Sequence, residues 1–85
     1  YDLKQNYPNP FNPSTTISFS IPKSDFVSLK IFDATGKEVA NLLNRILVQG
    51  SYDVNFDGTN LTSGVYFYKL ITGDFVSTKK MMLVK

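Results

Sequence analysis

Eighty-five residues, 42% of them hydrophobic and 14% aromatic, suit one domain with a core of its own and exclude a disordered chain. A net charge of +2, with nine basic residues spread along the chain apart from Lys79-Lys80, is too weak a field for nucleic acid or an anionic membrane as main partner. Without cysteine or histidine, disulfides, thiolate or imidazole metal sites and nucleophile–histidine pairs are excluded, and no apolar run approaches the roughly 20 residues that span a bilayer.

Tyr1–Gln5 is short, with Tyr1 and Leu3 alternating against Asp2 and Lys4, and reads as an edge strand. Asn6–Ser14 follows, and its three X-Pro steps force extended or turn backbone and exclude helix. It predicts a stiff loop whose Tyr7 and Phe11 tuck against the body of the domain. A Pro-rich ligand for an aromatic groove is the weaker reading, since Pro10-Phe11-Asn12-Pro13 is its only PxxP spacing. Residues 1–14 thus lead into a predicted sandwich over 15–84, all within a single domain of residues 1–85. Tyr1 is not an ordinary native start, so the chain reads as a piece of a longer protein. Lys85, by contrast, closes a predicted strand directly, as a natural chain end would.

Thr15–Ile21 alternates, with Ile17, Phe19 and Ile21 inward and Thr16, Ser18 and Ser20 outward. Pro22–Asp25 breaks that strand, and Phe26–Phe32 repeats the pattern with Val27, Leu29 and Ile31 inward. Asp33-Ala34-Thr35-Gly36 then reads as a type I turn closed by a left-handed glycine. The returning strand starts at Lys37 with Val39 inward. Leu42-Leu43 and Ile46-Leu47-Val48 fall out of phase with Val39, so the strand is expected to end near Asn41 and an irregular crossover to follow. Tyr52, Val54 and Phe56 alternate with Ser51, Asp53 and Asn55 in another one-faced strand behind Gly50. Asp57–Asn60 is a turn, and Leu61 is expected as a plug beneath the next loop.

Ser63–Ile71 carries apolar groups on both alternating faces, which predicts a central strand buried on both sides. Thr72-Gly73-Asp74 turns it into Phe75–Val84, the last hairpin of the chain. No segment has a helical apolar period. Six strands, with a short seventh at the N-terminus, predict an all-β antiparallel sandwich of immunoglobulin-like kind, without the Cys and Trp landmarks of a true immunoglobulin domain.

Catalysis is not expected, nor is a cofactor. The seven carboxylates are scattered, and Asp25, Asp33, Asp57 and Asp74 sit at turns as local acceptors. Asp53 and Asp57 could flank a Ca²⁺ ion, but oxygen-ligand sites gather more carboxylates than this, so no metal is assigned. Tyr52, Tyr66, Phe67 and Tyr68 could present rings to a sugar, though strand aromatics of a small sandwich are more often core. Asn60-Leu61-Thr62 is a glycosylation sequon, and a three-residue match carries little.

Several stretches together resemble a known family. Gln5-Asn6-Tyr7-Pro8-Asn9-Pro10-Phe11-Asn12-Pro13-Ser14-Thr15 looks like the opening signature of the type A C-terminal sorting domain of the type IX secretion system. Val27-x-Leu29-x-Ile31-Phe32-Asp33-x-x-Gly36, Gly50-Ser51-Tyr52 and Phe56-Asp57-Gly58 are similar to its next strands and turns. Leu61-Thr62-Ser63-Gly64-Val65-Tyr66-Phe67-Tyr68 and the lysine-bracketed Lys80-Met81-Met82-Leu83-Val84-Lys85 resemble its last two strands. Phe56 stands where many members carry Trp.

The resemblance implies an immunoglobulin-like sandwich at the end of a secreted or cell-surface protein that transits the periplasm. Its implied partners are an outer-membrane translocon, a shuttle and a sortase-like peptidase that removes the domain and anchors the cargo. Neither nucleic acid nor a membrane span is implied, and the domain is expected to be monomeric. Lys80, Met81, Met82, Leu83, Val84 and Lys85 are the expected recognition element, a strand with a free end that another sheet edge can augment, hinged at Gly73-Asp74. Gly36, Gly50, Tyr52, Gly58, Gly64 and Tyr66 are expected to shape turns and strand starts. The bland reading of Lys79, Lys80 and Lys85 is edge protection against aggregation. The runner-up function is an accessory module that binds polysaccharide or spaces a catalytic domain, and a third is a scaffold like that of hook-capping proteins. A stop codon at or very near Lys85 would separate the first from the others.

Overall fold

A computed structural model describes residues 1–85 as seven strands and no helix. These are β1 (Asp2–Leu3), β2 (Ser14–Ile21), β3 (Asp25–Asp33), β4 (Glu38–Leu47), β5 (Gly50–Asp57), β6 (Gly64–Ile71) and β7 (Val76–Leu83). They form two antiparallel sheets, ordered β1-β2-β5 and β4-β3-β6-β7, a sandwich compatible with immunoglobulin-like topology.

The predicted strand phase holds where alternation was clean. Ile17, Phe19, Ile21, Val27, Leu29, Ile31 and Phe56 are all buried. Burying such side chains contributes about 1.5–3 kcal/mol each, the main force joining the sheets of a chain without disulfides. Val54, also expected buried, is only half-buried, because it lies on β5 at the open edge of the smaller sheet. Leu61 likewise packs against the core without being fully enclosed.

Three further expectations are corrected. The strand from Lys37 does not end near Asn41. β4 runs to Leu47, and its register against β3 slips between Leu29↔Leu43 and Lys30↔Asn41, leaving Leu42 as an extra residue. A second slip lies between Ile31↔Ala40 and Phe32↔Glu38. Each bulge shifts the side-chain phase, so both halves of β4 present apolar residues to the core despite the broken alternation. The chain then passes from one sheet to the other at Val48-Gln49.

The second correction concerns β6. It is an inner strand, as expected, but only Tyr66, Tyr68 and Leu70 face the core. Val65, Phe67, Lys69 and Ile71 stand half-exposed on the outer face. The third concerns the Pro-rich segment, whose X-Pro bonds Tyr7-Pro8, Asn9-Pro10 and Asn12-Pro13 are all cis. Phe11 is buried at 1% exposure, whereas Tyr7 is 81% exposed, held to β2 only by its main chain at Thr16.

Candidate functional site

β7 is the edge strand of the larger sheet, and its two faces differ. Met81 and Leu83 point inward and are fully buried, while Lys80, Met82, Val84 and Lys85 are exposed. On one side its main chain pairs with β6, from Gly64↔Leu83 to Ile71↔Val76. On the other side lies the Pro-rich segment. The Phe11 N–H donates to Met82 O at 2.9 Å and the Val84 N–H donates to Phe11 O at 3.0 Å, a parallel bridge centred on Leu83. Asn9 Oδ1 accepts the Met82 N–H at 3.0 Å, and Gln5 Nε2 donates to Lys80 O at 2.7 Å.

The end of the chain is therefore strapped. Its last residue is held too: the Lys85 N–H donates to Ser63 Oγ at 3.0 Å, and its ammonium donates to Thr59 O. Toward Val76 and Thr78 the outward main chain of β7 has no such cover. A shallow cleft of about 220 Å³ remains between strap and strand, lined by Asn9, Pro10, Val65, Lys80, Met81 and Met82.

The strap is anchored from beneath. The Phe11 ring meets Phe56 edge-on at 6.1 Å. The Gly58 N–H donates to Pro13 O at 2.8 Å. A Cβ at Gly58 would stand 3.1 Å from Leu83 Cδ2 and 3.3 Å from both Phe11 and Pro13 O, so glycine lets strap, turn and last strand meet. Gly36 acts through its backbone instead. Its φ of 91° closes the β3–β4 turn, with its N–H on Asp33 O at 3.0 Å. Gly50 and Gly64 open β5 and β6.

Two buried polar residues that sequence reasoning missed, Asn6 and Thr15, complete the anchor. Asn6 is 2% exposed, and its N–H donates to the Tyr68 hydroxyl at 2.8 Å. That hydroxyl in turn donates to Lys4 O at 2.7 Å, while Asn6 Nδ2 reaches Thr15 Oγ1 at 3.0 Å and Pro8 O at 3.2 Å. Burial pushes the Tyr68 phenol pKa up, against the opposing Asn6 N–H, so the phenol stays neutral and able to donate. An asparagine beside X-Pro steps was the available signal, but it reads equally as a turn residue.

Three of the four rings weighed as a sugar platform are committed elsewhere, and Phe67 stands half-exposed on the outer face of β6. Tyr66 and Tyr68 are core, with the Tyr66 hydroxyl on Thr62 O at 2.7 Å. Tyr52 stacks on Phe19 at 5.5 Å and donates to Val48 O at 2.6 Å. The carboxylates serve local structure. Asp53 accepts from the Ser18 hydroxyl at 2.6 Å, and Asp57 accepts from the Thr59 hydroxyl and N–H. The Thr59 hydroxyl and N–H hold the Asp57 carboxyl below its ordinary value, as the Thr35 hydroxyl and Lys37 N–H do for Asp33. No three or more acidic side chains stand close enough to hold a metal. Gly73-Asp74 is pinned rather than loose, by the Gly73 N–H on Asp25 Oδ2 at 3.2 Å and a 2.8 Å ion pair between Lys23 and Asp74.

A protein-family model described as a secretion system C-terminal sorting domain matches residues 5–85. No curated protein and no solved structure matches the chain.

Proposed function

The chain belongs to the family of type IX secretion system C-terminal sorting domains, and from that premise we propose that it is the folded, non-catalytic address that carries a larger cargo from the periplasm across the outer membrane. The cargo is then released by a sortase-like peptidase and anchored at the cell surface. β7 and the residues after it, Lys80 to Lys85, are the part the machinery reads. The observation that carries this assignment is the two-faced geometry of β7. Met81 and Leu83 are spent on the core, while Lys80, Met82, Val84 and Lys85 face outward on an edge strand, where a partner can take the side chains directly and the main chain once the strap is displaced.

The strap refines how that reading works. Over Lys80–Val84 the main-chain edge is occupied by Gln5, Asn9 and Phe11. A partner therefore meets a composite of strap and strand, or displaces the strap first.

The test is export of a neutral periplasmic reporter ended by residues 1–85, in a host with type IX machinery. The fusion should reach the surface, and deleting Lys80–Lys85 should leave it in the periplasm. The deletion also removes Met81 and Leu83 from the core, so Lys80→Gln with Lys85→Gln is the fold-preserving companion, with an effect on stability of about 0.5 kcal/mol or less. Full export of that double variant would reduce the lysines to edge protection. Export of the deletion variant would end the claim for the last strand.

A further inference from the structure

The two outer faces of the sandwich differ in kind. On the three-stranded sheet the outward residues of β2 and β5 are serine, threonine, asparagine and aspartate without exception, from Ser14 to Ser20 and from Ser51 to Asp57. A sheet face that meets only water needs nothing else. The four-stranded sheet instead exposes Ile46 (72%), Val76 (59%), Phe26 (50%) and Met82 (43%). Phe26 and Ile46 are direct cross-strand neighbours, and Val76 lies opposite Ile71 at the same end of the face; Met82 lies at the other end.

Between those ends stand the half-exposed Phe32 and Phe67, directly opposite each other, and the cations Lys30, Lys69 and Lys80. Lys69 sits directly opposite Lys30 across β3 and β6, and like charges in that position destabilise a sheet. Glu38 pairs with Lys30 at 3.3 Å, but neither Lys69 nor Lys80 has a carboxylate within 4.0 Å. A face that is apolar, cationic and internally repulsive is poorly matched to water and well matched to a complementary surface.

We propose that the outer face of the four-stranded sheet is a docking surface for an acidic protein partner, whose carboxylates meet Lys69 and Lys80 while apolar groups cover the two ends. The proposal rests on the export reading, which makes that partner a component of the secretion machinery. Four strands about 4.8 Å apart and about eight residues long give a face of roughly 500 Å², below the roughly 800 Å² that each side of a standard stable interface buries. Such a contact is transient, as suits a signal that must be let go. A protein fits better than a lipid surface because the Lys30–Lys69 pair crosses the middle of the face with apolar residues on both sides of it. An interfacial site would rim one apolar patch with cations.

The reporter fusion tests this with surface substitutions. Lys69→Glu with Lys80→Glu should lower export at least about tenfold, since like charges placed against an acidic partner oppose docking. Ile46→Ser with Val76→Ser should lower it as well. Ser51→Lys with Asp53→Lys, on the opposite face, should leave export within about twofold. Lys69→Gln with Lys80→Gln separates docking from folding: relief of the Lys30–Lys69 opposition should hold or raise the melting temperature while export falls. Wild-type fusion exported and every variant exported equally would overturn the docking face and leave the export reading standing. A wild-type fusion that stays in the periplasm would overturn both. Binding of the purified chain to phosphatidylglycerol–phosphatidylethanolamine vesicles, lost in Lys69→Glu with Lys80→Glu, would overturn the protein partner in favour of lipid.

Discussion

Phe11 and Tyr7 lie four positions apart in one Pro-rich segment, and only Phe11 reaches the core. A loop has no side-chain period, so nothing in the sequence distinguished the two rings. The energetic difference should be large. Phe11→Ala should cost ~3–5 kcal/mol in denaturant unfolding, and Tyr7→Ala no more than ~0.5 kcal/mol. Equal losses would mean that the segment is not seated as described. In the strands, where alternation is strict, the phase was readable: Leu29 is fully buried, and Leu29→Ala should cost ~2–5 kcal/mol. The turn carboxylates add a pH dependence. Asp33 and Asp57 are held below the ordinary 3.8 by bonds that exist only in the folded chain. Their contribution is therefore present above pH about 4 and is lost as pH falls through that value toward the lower folded-state pKa. The melting temperature should be flat near neutrality and drop below about pH 4. Asp33→Asn with Asp57→Asn should flatten that drop, and an unchanged acid profile would show that other carboxylates govern it.

Elements with unbroken alternation, β2, β3 and β5, were legible because period 2 specifies the buried face directly. β4 was not, because bulges at Leu42 and Val39 reset its phase and made a continuous strand look like a strand and a crossover. The strap was not legible either. Its contacts with β7 join residues more than 70 positions apart, and one of them uses a side chain, Asn9 Oδ1, as the acceptor for Met82 N–H. That bond can be read residue by residue. In Asn9→Ala the Met82 amide should exchange hydrogen faster, while Met81 and Leu83, whose amides face β6, should keep their protection. Unchanged exchange at Met82 would show that Asn9 does not cap the strand. Acceleration across all of β7 would show that its pairing with β6 depends on the strap.

For the whole molecule, the strap makes the two ends of the chain one structural unit. Leu3 and Phe11 are buried, Asn6 and Lys4 satisfy the Tyr68 hydroxyl, and Phe11 bridges the last strand. The family match begins at residue 5, inside this arrangement, so the Pro-Asn signature works as part of the fold and not as a tether in front of it. A chain shortened to begin at Asn12 loses two buried apolar side chains, at ~3–5 kcal/mol for Phe11 and ~2–5 kcal/mol for Leu3. It also leaves the Tyr68 hydroxyl in a cavity without its partners, at about 1–3 kcal/mol. Together these reach the 5–15 kcal/mol that is the usual entire stability of a small domain. The shortened chain should therefore lack a cooperative thermal transition, or melt tens of degrees lower, given a shift of about 4–8 °C per kcal/mol at this size. The same fusion should also fail in export, although Lys80–Lys85 are all present, because β7 no longer has its strap or a stable sheet behind it. A shortened chain that melts within about 5 °C of the full one would make the strap dispensable to the fold. Export by that chain would further show that the machinery reads β7 without its N-terminal cover.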